Sequence, residues 1–140
     1  MIRIDVHHAA RPPLARNETI KLARGVLKNE RQEDARISII YIDDRSMIRM
    51  NRSYLKRRKT TDVLSFPLSD PPEETLEGEV YVNVERARQQ ARWYGATYRN
   101  EVARLVIHGV LHLLGYDDKT PELKEKMRFK ENECLDIRNF

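Results

Sequence analysis

The residue pattern predicts an α+β fold: a single domain spanning residues 1–140, in which a small mixed β-sheet is packed with helices and a metal site sits on the C-terminal part of a buried helix. Three observations carry that prediction. Segments with strand-like apolar patterning alternate with segments of helical spacing, and no repeat, low-complexity tract or linker separates them. A chain of 140 residues, 34% of them charged, has enough apolar positions for one core and a heavily charged exterior. Two histidines, His108 and His112, stand four residues apart inside the most apolar helical stretch.

In chain order, residues 2–7 alternate like a strand, and residues 14–32 read as a helix through Leu14, Ile20, Leu22, Val26 and Leu27. Residues 36–42 are β-rich and almost continuously apolar, which predicts a central strand. Asp44 is placed to cap the helix that follows, whose Met47, Met50 and Tyr54 fall on a face that can pack inward. Residues 61–68 predict another strand, broken by Pro67 and the turn-forming Ser69-Asp70-Pro71-Pro72. Glu73, Glu74 and Glu77 then read as a mobile, solvated acidic connection before a short strand from Gly78 to Val84. A charged amphipathic helix from Glu85 to Tyr94 stops at Gly95, and Thr97 caps the long apolar helix bearing the histidines. Thr120-Pro121-Glu122 has the cap, proline and acid of a helix start, and a last charged helix runs towards Phe140.

Composition narrows the setting. No apolar run approaches the roughly 20 residues of a membrane span, and the N-terminal residues lack the apolar centre of a signal peptide. A lone cysteine, Cys134, rules out an internal disulfide framework and suits a packed thiol in a reducing cytoplasm. Net charge is only +4, but its distribution is uneven. Arg45, Arg49, Arg52, Lys56, Arg57, Arg58 and Lys59 follow one another with no acidic residue between them, and the first four share one helix stripe. Ordinary exposed helix faces mix signs to gain i,i+4 pairs, so a single-sign stripe points to binding of a phosphate backbone.

The most informative run is His108-Gly109-Val110-Leu111-His112-Leu113-Leu114-Gly115-Tyr116-Asp117-Asp118. One helical turn is about 3.6 residues, so both imidazoles leave the same face and can converge on one ion. Gly115 can end the helix in a left-handed cap and return the chain with a carboxylate, Asp117 or Asp118, as third ligand. Three protein ligands leave a coordination position open, the arrangement of catalytic zinc sites; manganese, iron, cobalt and nickel accept the same ligand types. A zinc protease would want Glu after the first histidine as general base, and Gly109 cannot move a proton, so that chemistry is set aside.

This run resembles the signature of the YbeY family of bacterial metal-dependent endoribonucleases. Asn51-Arg52-Ser53-Tyr54 with Thr61-Asp62-Val63-Leu64-Ser65-Phe66-Pro67 is similar to a second family block, and Gly78-Glu79-Val80-Tyr81-Val82-Asn83 to a third. The resemblance implies one zinc ion per chain and cleavage of single-stranded RNA in ribosomal RNA maturation, including the 16S 3′ end, and in ribosome quality control. Ribosomal RNA and the small ribosomal subunit are the implied partners. It also implies that His108, His112 and Asp118 form both the metal and the catalytic set, with Ser65 lining the cleft. Two positions depart from the family pattern: Asp118 replaces a third histidine, and Leu55 replaces an arginine, whose charge Lys56, Arg57 or Arg58 could supply. An RNA- or ribosome-binding factor with a structural metal, and a metal hydrolase of a small substrate, are the alternative readings.

Overall fold

A computed structural model describes residues 1–56, 59–69, 75–138 and 140. The elements run β1 (Ile2–His8), α1 (Arg16–Asn29), β2 (Asp34–Ile42), α2 (Asp44–Tyr54), β3 (Val63–Pro67), β4 (Thr75–Asn83), α3 (Val84–Tyr94), α4 (Tyr98–Leu113) and α5 (Pro121–Ile137). The α+β architecture expected from the sequence is present: one four-stranded mixed sheet in the order β1-β2-β4-β3, packed with helices. β1 and β4 flank β2 in parallel, while β3 pairs antiparallel to β4 and forms an edge of the sheet.

Alternation along the strands decides which face is covered. Ala35, Ile37, Ile39 and Tyr41 of β2 and Val80 and Val82 of β4 are buried, while Arg36 on the opposite face is exposed and Ser38 and Ile40 are half-buried. The central strand is therefore where the sequence placed it, but it is lined by apolar packing mainly on one side. Leu22, Val26 and Leu27 of α1 and Val106, Ile107, Val110 and Leu111 of α4 complete the core. At roughly 1.5–3 kcal/mol for each large side chain removed from water, this cluster supplies the main drive for folding.

Local chemistry moves several boundaries. α1 stops at Asn29 because Arg31 adopts a left-handed φ of 60°. Its N–H reaches the Lys28 carbonyl at 3.0 Å, and the Gln32 N–H reaches that of Leu27 at 2.8 Å. This closure usually carries glycine, which is why spacing alone ran the helix on to residue 32. The cap of α2 is Asp43, whose Oδ1 accepts from the Ser46 N–H at 2.8 Å, and not Asp44. Asp44 instead accepts from the Thr60 hydroxyl and, at 2.9 Å, from the Asn83 amide. On α2, Met47 is buried and Met50 half-buried, but Tyr54 is 70% exposed and packs in a T-shaped arrangement with the Phe66 ring. Glu77 is not in the acidic connection: β4 begins at Thr75, because its pairing with β2 extends to Asp34. The readings of Glu73 and Glu74, and of the turn from Asp70, fall outside the described residues, as do those of Arg57 and Arg58.

Two buried amides hold the segment before β3. Asn51 donates to the Lys59 carbonyl at 2.6 Å. Asn83 points its amide nitrogen at Asp44, Thr60 and the Thr61 carbonyl, while its Oδ1 caps α3 at the Arg86 N–H. Cys134 is buried in α5 as a packed thiol, and burial pushes its pKa up to about 11. No helix among the described residues is long and apolar enough to cross a membrane.

Gly109 is where α4 meets the sheet. A Cβ built there would lie 2.3 Å from Val80 Cγ1, a side-chain atom on β4 with little room to retreat. Gly109→Ala is therefore expected to cost about 1–3 kcal/mol by overpacking, read as a lowered urea midpoint with an unchanged m-value.

Candidate metal centre

α4 brings the two histidines to the rim of the core. Thr97 starts the helix by accepting from the Asn100 N–H at 3.0 Å. At its other end the Gly115 N–H reaches the His112 carbonyl at 3.0 Å and the Tyr116 N–H reaches that of Leu111 at 3.1 Å. Gly115 has φ 101°, so the predicted left-handed closure is present. The chain then reverses through Asp117, whose Oδ1 accepts from the Lys119 N–H at 3.1 Å. Asp117 thus holds the turn, and Asp118 is delivered back to the histidines.

His108 Nε2 and His112 Nε2 are 3.1 Å apart, and Asp118 places Oδ2 3.7 Å from the first and Oδ1 3.8 Å from the second. Neighbouring ligand atoms of a tetrahedral ion with bonds of about 2.0–2.1 Å stand roughly 3.3 Å apart. The three donors therefore fit one ion with little rearrangement, and they are the one group of this kind among the described residues.

Sequence reasoning missed the residue behind them. Glu131 of α5, 5% exposed, places Oε2 2.7 Å from His108 Nδ1. A proton on Nδ1 shared with that carboxylate leaves the Nε2 lone pair facing Asp118 and His112, the usual device for orienting a histidine ligand. The other Glu131 oxygen accepts from Arg104 at 3.1 Å, and Arg104 also donates to Asn132 at 2.9 Å. Glu131 is one of several acids along α5, and its sequence position carries no mark of this role. Burial alone would lower the pKa of His108, but the hydrogen bond and charge of Glu131, with Asp118 and Asp62, outweigh it and raise the pKa. His112 goes the other way, lowered by burial and by the neighbouring His108.

Two clefts meet at this point. One runs along β3 past Thr61, Val63, Leu64, Ser65 and Pro67 to His108, His112 and Asp118. Ser65 is among its lining residues, and its hydroxyl donates to the Gly109 carbonyl at 2.9 Å, tying β3 to α4. The other opens beyond His108 towards Gln90, Tyr94, Glu101, Lys124 and Arg128. Asp62 lies on both.

Of the basic residues, Arg45, Arg49, Arg52, Lys56 and Lys59 are exposed. Arg45, Arg49 and Arg52 line a shallow depression with Asp43, Asp44 and Glu85, so acids border the stripe in space although none interrupts it in sequence. No described residue of the stripe lines either cleft at His108. Leu55, 42% exposed, follows α2 directly.

Comparison with known proteins gives a consistent result. The family model described as endoribonuclease YbeY matches residues 6–139. The endoribonuclease YbeY of Chlorobium phaeovibrioides is 37% identical over 134 residues, covering 96% of this chain and 89% of that protein. That of Carboxydothermus hydrogenoformans is 41% identical over 107 residues, 76% of this chain and 75% of the relative. The Myxococcus xanthus relative, 37% identical over 99% of this chain, is longer, and the chain spans 48% of its length. Among solved structures, the solution structure of TM1509 from Thermotoga maritima is similar, with a TM-score of 0.62 and 26% identity over 96% of this chain and 89% of that one.

If the three converging donors hold an ion, the carboxylate behind His108 sets part of its affinity. Glu131→Gln should lower metal affinity roughly 10–100-fold, measured by competition with a chelator of known strength. Asp118→Ala should lose the ion and Asp117→Ala should keep it. The reverse pattern would reassign the third ligand.

Proposed function

The chain belongs to the endoribonuclease YbeY family, and from that premise we propose that it is a metal-dependent endoribonuclease cutting single-stranded RNA during ribosomal RNA maturation, including the 16S 3′ end. The observation that supports this best is the convergence of His108, His112 and Asp118 at the floor of an open cleft. Zinc is the proposed ion, one per chain, because two imidazoles and one carboxylate are an ordinary catalytic zinc set. When bound, such an ion supplies Lewis-acid chemistry: it acidifies water for attack on phosphorus and draws charge from a phosphate oxygen.

The chain's own groups do the rest. Glu131 keeps His108 turned with Nε2 towards the cleft, and Asp117 keeps the turn that presents Asp118. An anionic third ligand in place of a neutral imidazole lowers the net positive charge of the loaded site by one, which weakens its pull on a phosphate. The cations of the 45–59 segment are assigned to the flanking RNA backbone, and Lys56, Arg57 or Arg58, which directly follow Leu55 in sequence, to the charge of the missing arginine. Ser65, with its proton committed to the Gly109 carbonyl, forms wall and not nucleophile. The small ribosomal subunit is the proposed setting for the substrate, and the cytoplasm the proposed compartment.

The direct test is cleavage of single-stranded RNA by metal-loaded protein. Products should appear, vanish with chelator, and be absent for His108→Ala with His112→Ala, whose metal content should also fall to background. Binding without cleavage by the loaded protein would favour an RNA-binding factor with a structural metal. A further expectation concerns the stripe. Arg49→Gln with Arg52→Gln should weaken RNA binding for all sequences alike and flatten the slope of log affinity against log salt by about 1.4, roughly 0.7 per lost contact on a single strand. Metal content should not change, and an unaltered slope would leave those arginines as ordinary solvated charges.

A further inference from the structure

The cleft beyond His108 contains a polar group that the proposed chemistry does not use. Glu101 of α4 is 4% exposed, yet its carboxylate accepts no hydrogen bond from any described residue. Every fully sealed side-chain polar atom among the described residues has a partner. The unpaired carboxylate must therefore be the part of Glu101 that reaches the cleft it lines. Burial, helped by the nearby charges of Asp62 and Glu131, raises its pKa against the opposing pull of Arg104 and Arg128. The Arg104 guanidinium is already committed to Glu131 and Asn132, and the Asp62 carboxylate accepts from the Gln90 amide at 3.2 Å. A carboxylate that opens to a cleft and has no protein donor is free to accept from whatever occupies that cleft.

The surroundings indicate what does. Lys124 and Arg128, which make no ion pair among the described residues, line the same cleft, and so does Tyr94, which is 66% exposed. Cations for phosphate, an aromatic face for stacking and a carboxylate for N–H groups are the elements of nucleotide recognition. Glu101 precedes His108 by seven residues on one helix, so the two share a face about 10 Å apart along the axis. The separation between a nucleotide's phosphate and the far edge of its base is of that order.

We infer that this cleft is a nucleobase subsite beside the scissile phosphate, in which Glu101 accepts from the Watson–Crick edge of a guanine while Tyr94 stacks on the ring. Guanine alone among the four bases presents two adjacent donors, N1–H and the 2-amino group, that match both oxygens of one carboxylate. Adenine and cytosine offer one amino group, and uracil one imino hydrogen. The inference rests on the RNA-cleavage reading, but it is tested without cleavage.

The test is equilibrium binding of 5′-GMP, 5′-IMP, 5′-AMP, 5′-CMP and 5′-UMP to the full metal-loaded chain. 5′-GMP should bind about tenfold tighter than 5′-AMP, 5′-CMP or 5′-UMP, the discrimination a bidentate contact typically gives. 5′-IMP, which lacks the 2-amino group, should fall between. Glu101→Gln should erase the preference without lowering Tm, since it removes a charge that burial disfavours; a structural role would lower Tm instead and overturn the inference. Tyr94→Ala, at an exposed position, should weaken all five ligands alike. Equal binding of the five, no binding at millimolar concentration, or a preference unchanged in Glu101→Gln would overturn the subsite. If Glu101→Gln does not fold, 5′-GMP against 5′-IMP on the unaltered chain decides, with equal affinity counting against it. A guanine preference without RNA cleavage would leave the subsite standing and overturn the nuclease reading. Cleavage with no guanine preference would overturn the subsite alone.

Discussion

The contact between Gly109 and β4 governs the geometry of everything near the candidate site. A helix bearing a side chain at that point would have to stand off from Val80, since a Cβ there falls 2.3 Å from Cγ1. Without one, α4 settles onto the sheet and its Gly109 carbonyl comes within 2.9 Å of the Ser65 hydroxyl on β3. The same approach seals Val106, Ile107, Val110 and Leu111 in the core. His108 and His112 are then held at the edge of the sheet, because their neighbours on either side are locked in place. Their positions follow from apolar packing more than from any polar contact of their own.

Polar contacts enter behind the histidines. Glu131 is buried and would be expensive there as a lone carboxylate, but it divides its oxygens between Arg104 and His108. One interaction compensates its burial and the other orients an imidazole, so α5 is joined to α4 by the group that sets the direction of His108 Nε2. Asn51 and Asn83 do similar work on the opposite wall. Between them they hold the carbonyls of Lys59 and Thr61, on either side of Thr60, and so fix where the chain enters β3 and the cleft. Both asparagines belong to the blocks that carry the family resemblance, and their places in the structure explain them through architecture, with no need for contact with substrate.

What was legible in the sequence was local. The i,i+4 histidines, the glycine closure and the following carboxylates are set by helical periodicity and one left-handed residue, and the convergence of their donor atoms follows directly. The strand and helix segments were legible for the same reason. The failures share a cause as well. Arg31 adopts a left-handed conformation that its residue type does not announce, so α1 seemed longer than it is. Asp43 and Asp44 are adjacent candidates for one cap, and what separates them is the attachment of Asp44 to Thr60 and Asn83, which no pattern along the chain reveals. The register between β2 and β4, which draws Glu77 into a strand, and the meeting of Glu131 with His108 across 23 residues are likewise long-range facts. Tyr54 fell on the apolar stripe of its helix but lies in its last turn, largely exposed against the ring of Phe66.

The three donors all lie between residues 108 and 118, on one helix and the turn that ends it. Closing so short a loop costs little chain entropy, and the helix and its cap determine the spacing almost unaided. The cleft walls draw on α4 as well, but also on β3, α3 and α5, remote in sequence. The donor spacing is thus set locally, while most of the walls are set by tertiary packing. One can drift while the other stays in register, and an exchange at the third donor leaves the scaffold intact. The residue at position 118 therefore sets the charge at the centre, while the helix and its cap keep the architecture.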